Sequence, residues 1–401
     1  MPRVLSDERR DLVKAIAGFC RRECGTKEQR DKLTADGREH HNQRLYEKMA
    51  ALGWLGIAVP EEYGGAGLGM VDLCLFLQET SYGRAPISGF STTIIAAAAY
   101  ERFGTEEQRR TVLEGVTRGR VEAISMSEPG AGSDVGALAC RAERTSGGYV
   151  VNGQKTWCSN AHFADHVLLI ARTGRGTSGA AGTSGAAGTS STSGSSGASK
   201  HEGLTQFMVP TDAAGLRIRG IDTMGGKEVN DLYFTDCFVP DSAVVGTPGQ
   251  AWTQLMAGLN LERMILAALM LGVARRAFDD TVTYVRQREQ FGRPIGSFQA
   301  LRHRIADMAT ELECARLLLD DVAAAIDAEP DRVFAREASM AKLKCTELAK
   351  HVTLEGMQML GGYGYATEYG MEALLRQTVV STVYGGTSEI QRDIIGKTYG
   401  L

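Results

Sequence analysis

No part of this 401-residue chain stays apolar for long. Its longest uncharged apolar run, residues 264–274, falls far short of the ~20 residues that a membrane-spanning helix needs. The chain also lacks an excess of either charge: 44 Lys and Arg face 48 Asp and Glu, which speaks against a surface built for nucleic acid or anionic membrane. Its eight cysteines are scattered singly, and only Cys20 and Cys24 lie close together. Neither a disulfide framework nor a Cys-x-x-Cys motif can be drawn from them, so reduced thiols in a cytoplasmic protein are expected. The opening residues lack the apolar core of a signal peptide and are too acidic for a transit peptide, and the final Tyr399-Gly400-Leu401 matches no address or lipidation signal. His162 and His166 stand four apart but flank strand-like sequence, with no carboxylate or cysteine at ligand spacing, so no metal site is expected. A Gly-x-Ser-x-Gly nucleophile elbow is missing as well.

What is present is a chain long enough for two or three packing units, and its periodicity changes twice. Residues 1–120 read as helices joined by turns, with Leu12, Ile16 and Phe19 on one helical face and Leu45, Met49 and Leu52 on another. The stretches 71–81 and 91–103 are apolar enough for buried helices. Residues 121–240 read as short strands: 149–153 as strand then turn, 166–170 and 205–210 as buried strands, and 232–234 with 237–239 as a further pair. Residues 241–401 return to a helical period, with long helices predicted over 252–287, 299–328 and 332–360. The pattern is therefore mainly α with a β middle unit and a C-terminal helical bundle. Between 176 and 199 every residue is Gly, Ala, Ser or Thr, and Gly-Thr-Ser-Gly-Ala-Ala occurs twice in succession. Such composition buries too little apolar area to offset ordering entropy, and a disordered loop between two strands is expected there.

Four clusters carry chemical information. Ser127-Glu128-Pro129-Gly130-Ala131-Gly132-Ser133-Asp134 nearly spells a dinucleotide fingerprint. It is followed by more strand and turn, not by the helix and second parallel strand of a βαβ unit, so a tight turn between strands is the reading. Glu262 and Arg263 are the only charged residues between 242 and 274. Burial among those apolar neighbours would raise the Glu262 pKa and suit a general base; a solvated helix face is the alternative that spacing leaves open. Glycine pairs such as Gly361-Gly362 directly after helical sequence read as C-caps. Gly385-Gly386-Thr387-Ser388, opening onto Glu389-Ile390-Gln391-Arg392, reads as a helix N-terminus whose N–H groups can receive an oxygen or phosphate.

Taken in order, these segments together with Trp157-Cys158-Ser159-Asn160 and Arg288-Glu289-Gln290-Phe291-Gly292-Arg293-Pro294-Ile295 closely resemble the acyl-CoA dehydrogenase family of flavoproteins. The resemblance covers the chain except the 176–199 insertion. It implies an α-helical N-terminal domain (1–120), a β-barrel-like middle domain (121–240) and a C-terminal four-helix bundle (241–401). A homotetramer with one FAD per subunit is implied too. By the same resemblance Met126 and Ser127 meet the flavin pyrimidine edge, Trp157 packs near the isoalloxazine, and Ser159 bonds near N5 and O4. Arg288, Phe291 and Gln299 hold the adenosine-diphosphate half of a neighbour's FAD, and Gln358, Gly361 and Gly362 meet its pyrophosphate. Thr387 and Glu389 fall at the last cofactor contacts, and Ser133 lies near the thioester and pantetheine. Tyr384, Gly385 and Arg263 fall on the substrate side.

Many family members carry the catalytic glutamate where this chain has Gly385. The isovaleryl-CoA and long-chain branches supply it from the helix position that Glu262 matches, and Tyr384 resembles the long-chain branch. The implied reaction is desaturation of an acyl thioester, with Glu262 taking the α proton and the flavin the β hydride. The Gly385 N–H and a ribityl hydroxyl would hold the thioester oxygen. The carrier is coenzyme A or an acyl carrier protein, with an electron-transfer flavoprotein as the expected acceptor. An oxidase passing electrons to O2 and a catalytically silent flavin-binding scaffold are the alternatives.

Overall fold

Helix α1 (Asp7–Cys24) begins where the Ser6 side chain accepts from the Arg9 N–H, with Asp7 and Glu8 in its first turn and Arg21 and Arg22 in its last, matching the helix dipole at both ends. The short α2 (Lys27–Leu33) starts with a reciprocal Thr26–Gln29 capping box. In α3 (Gln43–Ala51) Leu45 and Met49 are buried as expected, but Leu52 is half exposed because it caps the helix C-terminus and has turned off that face. The computed structural model describes residues 5–174 and 202–401; the 176–199 stretch lies outside the described residues.

α4 (Met70–Tyr82) buries residues all round because it runs between α1 and two C-terminal helices, Ala251–Gln287 and Gln299–Ala328. Its two buried acids are paired: Asp72 accepts from Arg9 Nε and Nη2 at 2.8 Å each, and Glu79 accepts from Arg275 at 2.9 Å. α5 (Gly89–Phe103) packs against the first strand, and the short α6 (Glu106–Arg109) and α7 (Gly115–Thr117) close the N-terminal helical region.

The sheet runs β6-β7-β3-β2-β4-β5-β8, with β1 (Glu122–Ser125) parallel to β4. The other members are β2 (Arg141–Thr145), β3 (Gly148–Ser159), β4 (His166–Arg172), β5 (Leu204–Pro210), β6 (Leu216–Thr223), β7 (Gly226–Pro240) and β8 (Val244–Val245). Three expectations change. The turn expected after Asn152 is a bulge within β3, where Gly153 (φ +147°) passes so close to Cys140 that a Cβ would stand 2.8 Å from its Cα. The pair expected at 232–234 and 237–239 is one strand, β7. Its Thr235-Asp236 step bulges out of the ladder, with Asp236 at φ +47°, and is held to β3 because Asn152 exchanges two hydrogen bonds with Asp236. β6 was not expected at all: none of its residues is fully buried, and only the brief alternation of Leu216 and Ile218 with Arg217 and Arg219, packed on the core, marks it.

The C-terminal bundle is built on α8 (Ala251–Gln287), a helix of 37 residues. α9 (Gln299–Ala328) and α10 (Ala335–Leu360) pack along it, and α12 (Met371–Val379) and α13 (Ser388–Lys397) close on α10, with the single turn α11 (Gly362–Tyr365) between. A two-stranded hairpin, β9 (Glu289–Gln290) and β10 (Arg293–Pro294), projects where α8 turns into α9. α10 starts three residues later than its predicted 332, since 330–334 form a turn. Among the described residues no helix is long and apolar enough to cross a membrane.

Candidate active site

Glu262 and Arg263 sit a quarter-turn apart on α8. Arg263 is buried and Glu262 partly buried, so Glu262 is not on a solvated face. The Glu262 carboxylate has no hydrogen bond or ion pair among the described residues. Desolvation raises its pKa above the ordinary carboxylate value, and the charges of Arg263 and Lys342 pull it partly back. The carboxylate looks onto Gly385: a Cβ at that glycine would stand 3.5 Å from Glu262 Oε1 and 2.2 Å from Leu266 Cδ1. Gly385 holds φ +59° and Gly386 φ +77°, so both backbone shape and the Leu266 contact require glycine at 385.

The loop around them is tied down from the bundle side. Lys342, fully buried on α10, donates to Ser381 O at 3.0 Å and Gly386 O at 2.9 Å. Gln391 Nε2 donates to Gly385 O and Gly386 O at 3.0 Å each. Thr387 caps α13 by accepting from the Ile390 N–H at 3.3 Å, which is the predicted helix start. Glu389 is exposed, and the α13 backbone N–H groups and the Thr387 hydroxyl hold its carboxyl below the usual value. Burial pushes the Tyr384 phenol up, with Glu228 of β7 adding to it, which places this loop against the β unit.

A second group gathers at the end of β1 and β3. Ser127 O accepts from the Thr156 N–H at 2.9 Å, which ties Met126 and Ser127 to the strand that carries Trp157 and Ser159. Fully buried Lys155 donates to Met126 O and to Glu128 Oε1 at 2.8 Å each, and Glu128 also accepts from the backbone of Ala139 and Cys140. Trp157 is 60% exposed and sits at φ +59°, a conformation a bulky residue rarely adopts. Ser133 lies exposed on the neighbouring turn, whose Glu128 and Ala131 exchange backbone hydrogen bonds as the tight-turn reading expects.

The remaining predicted residues are elsewhere. Arg288 follows α8, with its guanidinium 5.5 Å from the Tyr363 ring centre. Phe291 is 93% exposed between β9 and β10, and Gln299 starts α9. Gln358 lies in the last turn of α10, Gly361 (φ +62°) caps it and Gly362 opens α11. Glu262 and Gln287 are 25 residues apart on one helix, roughly 38 Å, so this group does not meet Glu262 within the subunit.

Family models for the acyl-CoA dehydrogenase N-terminal, middle and C-terminal domains match residues 6–120, 123–237 and 249–400. The chain belongs to the acyl-CoA dehydrogenase family. It is 36% identical over 359 residues to the mitochondrial isovaleryl-CoA dehydrogenase of Solanum tuberosum, covering 88% of this chain and 81% of that protein. Among solved structures it superposes on an acyl-CoA dehydrogenase from Geobacillus kaustophilus with TM-score 0.88, 29% identity and full coverage of both chains. A glutaryl-CoA dehydrogenase from Mycobacterium smegmatis in complex with FADH2 matches with TM-score 0.85 and 25% identity, over 98% of this chain and 95% of that one. The acyl-CoA dehydrogenase described here is thus an FAD-dependent oxidoreductase acting on acyl-CoA.

The residues present fit that cofactor. A pinned backbone turn and an exposed indole stand side by side at the sheet end, and Ser388 Oγ and Gln391 Oε1 are buried without partners at the loop. No group of three metal-ligating side chains exists among the described residues: His162 bonds Asn230 at 3.1 Å, and His166 pairs with Glu122 at 3.0 Å. The sequence reading missed Lys155, Glu128, Lys342 and Gln391. Lys342 was within reach, because it falls on the apolar stripe of Ala338, Ala341, Cys345 and Ala349, where a charged residue is out of place.

Proposed function

We propose that Glu262 is the general base of a thioester α,β-desaturation. The single observation behind this reading is the unpartnered Glu262 carboxylate facing Gly385, the loop position that carries the glutamate in other branches of the resemblance. The α proton of a thioester is weakly acidic, so its removal needs a base in a dry site and donors for the developing enolate oxygen. Glu262 supplies the first. The Gly385 N–H, which makes no hydrogen bond among the described residues, is available for the second. Bound FAD supplies the acceptor for the hydride leaving Cβ. Met126, Ser127, Trp157 and Ser159 would hold its ring end, with Thr387 and Glu389 beside it. Tyr384 and Ser133 bound the substrate side, and Arg263 keeps a positive charge beside the base.

Arg288, Phe291, Gln299, Gln358, Gly361 and Gly362 serve a second copy of the chain, which makes a homotetramer with shared cofactor sites the assembly proposed. The domain limits 1–120, 121–240 and 241–401 are part of the same reading. The substrate proposed is a medium, long or branched aliphatic acyl thioester of coenzyme A, with an electron-transfer flavoprotein as acceptor. Eight cysteines without disulfides fit a cytoplasmic setting. Anaerobic titration of the yellow holoenzyme with a panel of acyl-CoA and acyl-carrier-protein thioesters tests this: bleaching by an aliphatic acyl-CoA is expected. No bleaching by any thioester would sink the reading, and rapid recovery of colour in air would make the enzyme an oxidase.

A further inference from the structure

Lys342 is an expensive residue to keep. Its side chain has no exposure and forms no ion pair among the described residues, although taking an ammonium out of water is strongly unfavourable. Its hydrogen bonds go to two carbonyls, Ser381 O and Gly386 O. Gln391, 1% exposed, spends its amide N–H groups in the same way on Gly385 O and Gly386 O. Three hydrogen bonds from two buried side chains thus converge on two consecutive glycine carbonyls. Two glycines at positive φ would otherwise be the freest part of this loop.

We propose that Lys342 and Gln391 are positioning residues: they hold the Gly385 and Gly386 carbonyls from the bundle side, keep the Gly385 N–H free for the thioester oxygen, and through the Lys342 charge poise Glu262 to accept a proton. This rests on Glu262 as the base. The groups facing Lys342 are Glu262 and Arg263 from α8, Glu347 on its own helix and Glu389 from α13. Those facing Glu262 are Arg263 and Lys342. Burial pushes the Lys342 ammonium down to about 8, with Glu262 opposing that shift, so the cation is still largely present at neutral pH. Removing it leaves Arg263, among the described residues, as the cation restraining the upward shift of Glu262.

The test uses FAD-loaded Lys342→Met, Lys342→Gln and Gln391→Met with two readings taken without substrate. The first is the pH midpoint of the infrared carboxyl band that disappears in Glu262→Gln. The second is amide hydrogen exchange at residues 384–387. Lys342→Met should move the midpoint to higher pH and speed exchange about ten-fold or more. Lys342→Gln, which keeps a donor but loses the charge, should move the midpoint with a smaller change in exchange. Gln391→Met should speed exchange and leave the midpoint in place. Flavin reduction by a good thioester should then slow about 10²-fold in Lys342→Met, with thioester affinity changed only a few-fold, as expected for misplacement of about 1 Å. An unmoved midpoint in Lys342→Gln or unmoved exchange in Gln391→Met overturns the proposal, even if Lys342→Met fails to fold. Should no thioester of the panel reduce the wild-type flavin, the desaturation reading falls by itself, because neither substrate-free reading depends on turnover.

Discussion

The two ends of α8 are built on opposite plans. At Glu262 the surroundings are buried: the loop carbonyls are occupied by Lys342 and Gln391, and Gly385 is packed against Leu266. Roughly 38 Å further on, past Gln287, polar and aromatic groups stand in the open. Phe291 is 93% exposed, Tyr365 81%, and Arg288 rests on Tyr363, which itself packs on Tyr369 at 4.9 Å. A buried carboxylate needs its neighbours arranged within the subunit, whereas an exposed aromatic surface is what a second chain would cover. The first end is therefore read as chemistry and the second as assembly.

Substitutions at the two ends should separate these roles. The largest effect is expected at the near end: Glu262→Gln should slow flavin reduction by about 10²–10⁴-fold in stopped-flow mixing while leaving FAD content and oligomeric state intact. Gly385→Ala should come next. Its methyl group would meet Leu266, and φ +59° costs a non-glycine residue about 1–2 kcal/mol, so reduction should slow about 10²-fold and the melting temperature should drop. At the far end Phe291→Ser should leave the near site's chemistry unaltered. It should instead shift sedimentation toward smaller species and weaken FAD retention, and an unchanged tetramer would erase the contrast drawn between the ends.

The smallest effect is on stability. Folding raises the Glu262 pKa above its reference value of 4.5, so the native state holds a proton that the unfolded chain gives up. That contribution is complete below pH 4.5 and is lost as pH rises through the folded pKa. Glu262→Gln, which cannot ionise, should melt higher than wild type at pH 8, with the gain shrinking as pH falls toward 4.5. A gain that grows with acid would reverse the sign and contradict a desolvated carboxylate.

Much of this was legible in the sequence, for reasons that differ by element. The long helices α8 and α9 show in their periodicity almost to the residue, since one face of each is packed along its length. Glu262 stands out because charge is absent around it. The edge strand β6 shows only a short alternation, Leu216 and Ile218 between Arg217 and Arg219, and the breaks read at Gly153 and Asp236 are bulges that the partner strand stabilises. Lys155 looks like an ordinary surface lysine until its carbonyl partner, 29 residues away in sequence, is brought to it by the fold, whereas Lys342 is marked by its place on the apolar stripe of α10 although its partners lie 39 or more residues away. The backbone carbonyls that such buried cations hold are set by tertiary contact, and neither composition nor local spacing records them.

Proton removal can be watched apart from oxidation. A 3-thiaacyl thioester binds but has no β hydrogen to lose as hydride, so any exchange of its α hydrogens in D2O reports the base alone. Wild-type holoenzyme should wash out those hydrogens, observed by NMR, and Glu262→Gln should bind the thioester with similar affinity yet exchange at least 10²-fold more slowly. Glu389→Gln, with its carboxylate on the exposed start of α13, should exchange at the wild-type rate once loaded with FAD. Exchange at the parental rate in Glu262→Gln, or its loss in Glu389→Gln, would contradict the assignment of Glu262 as the base.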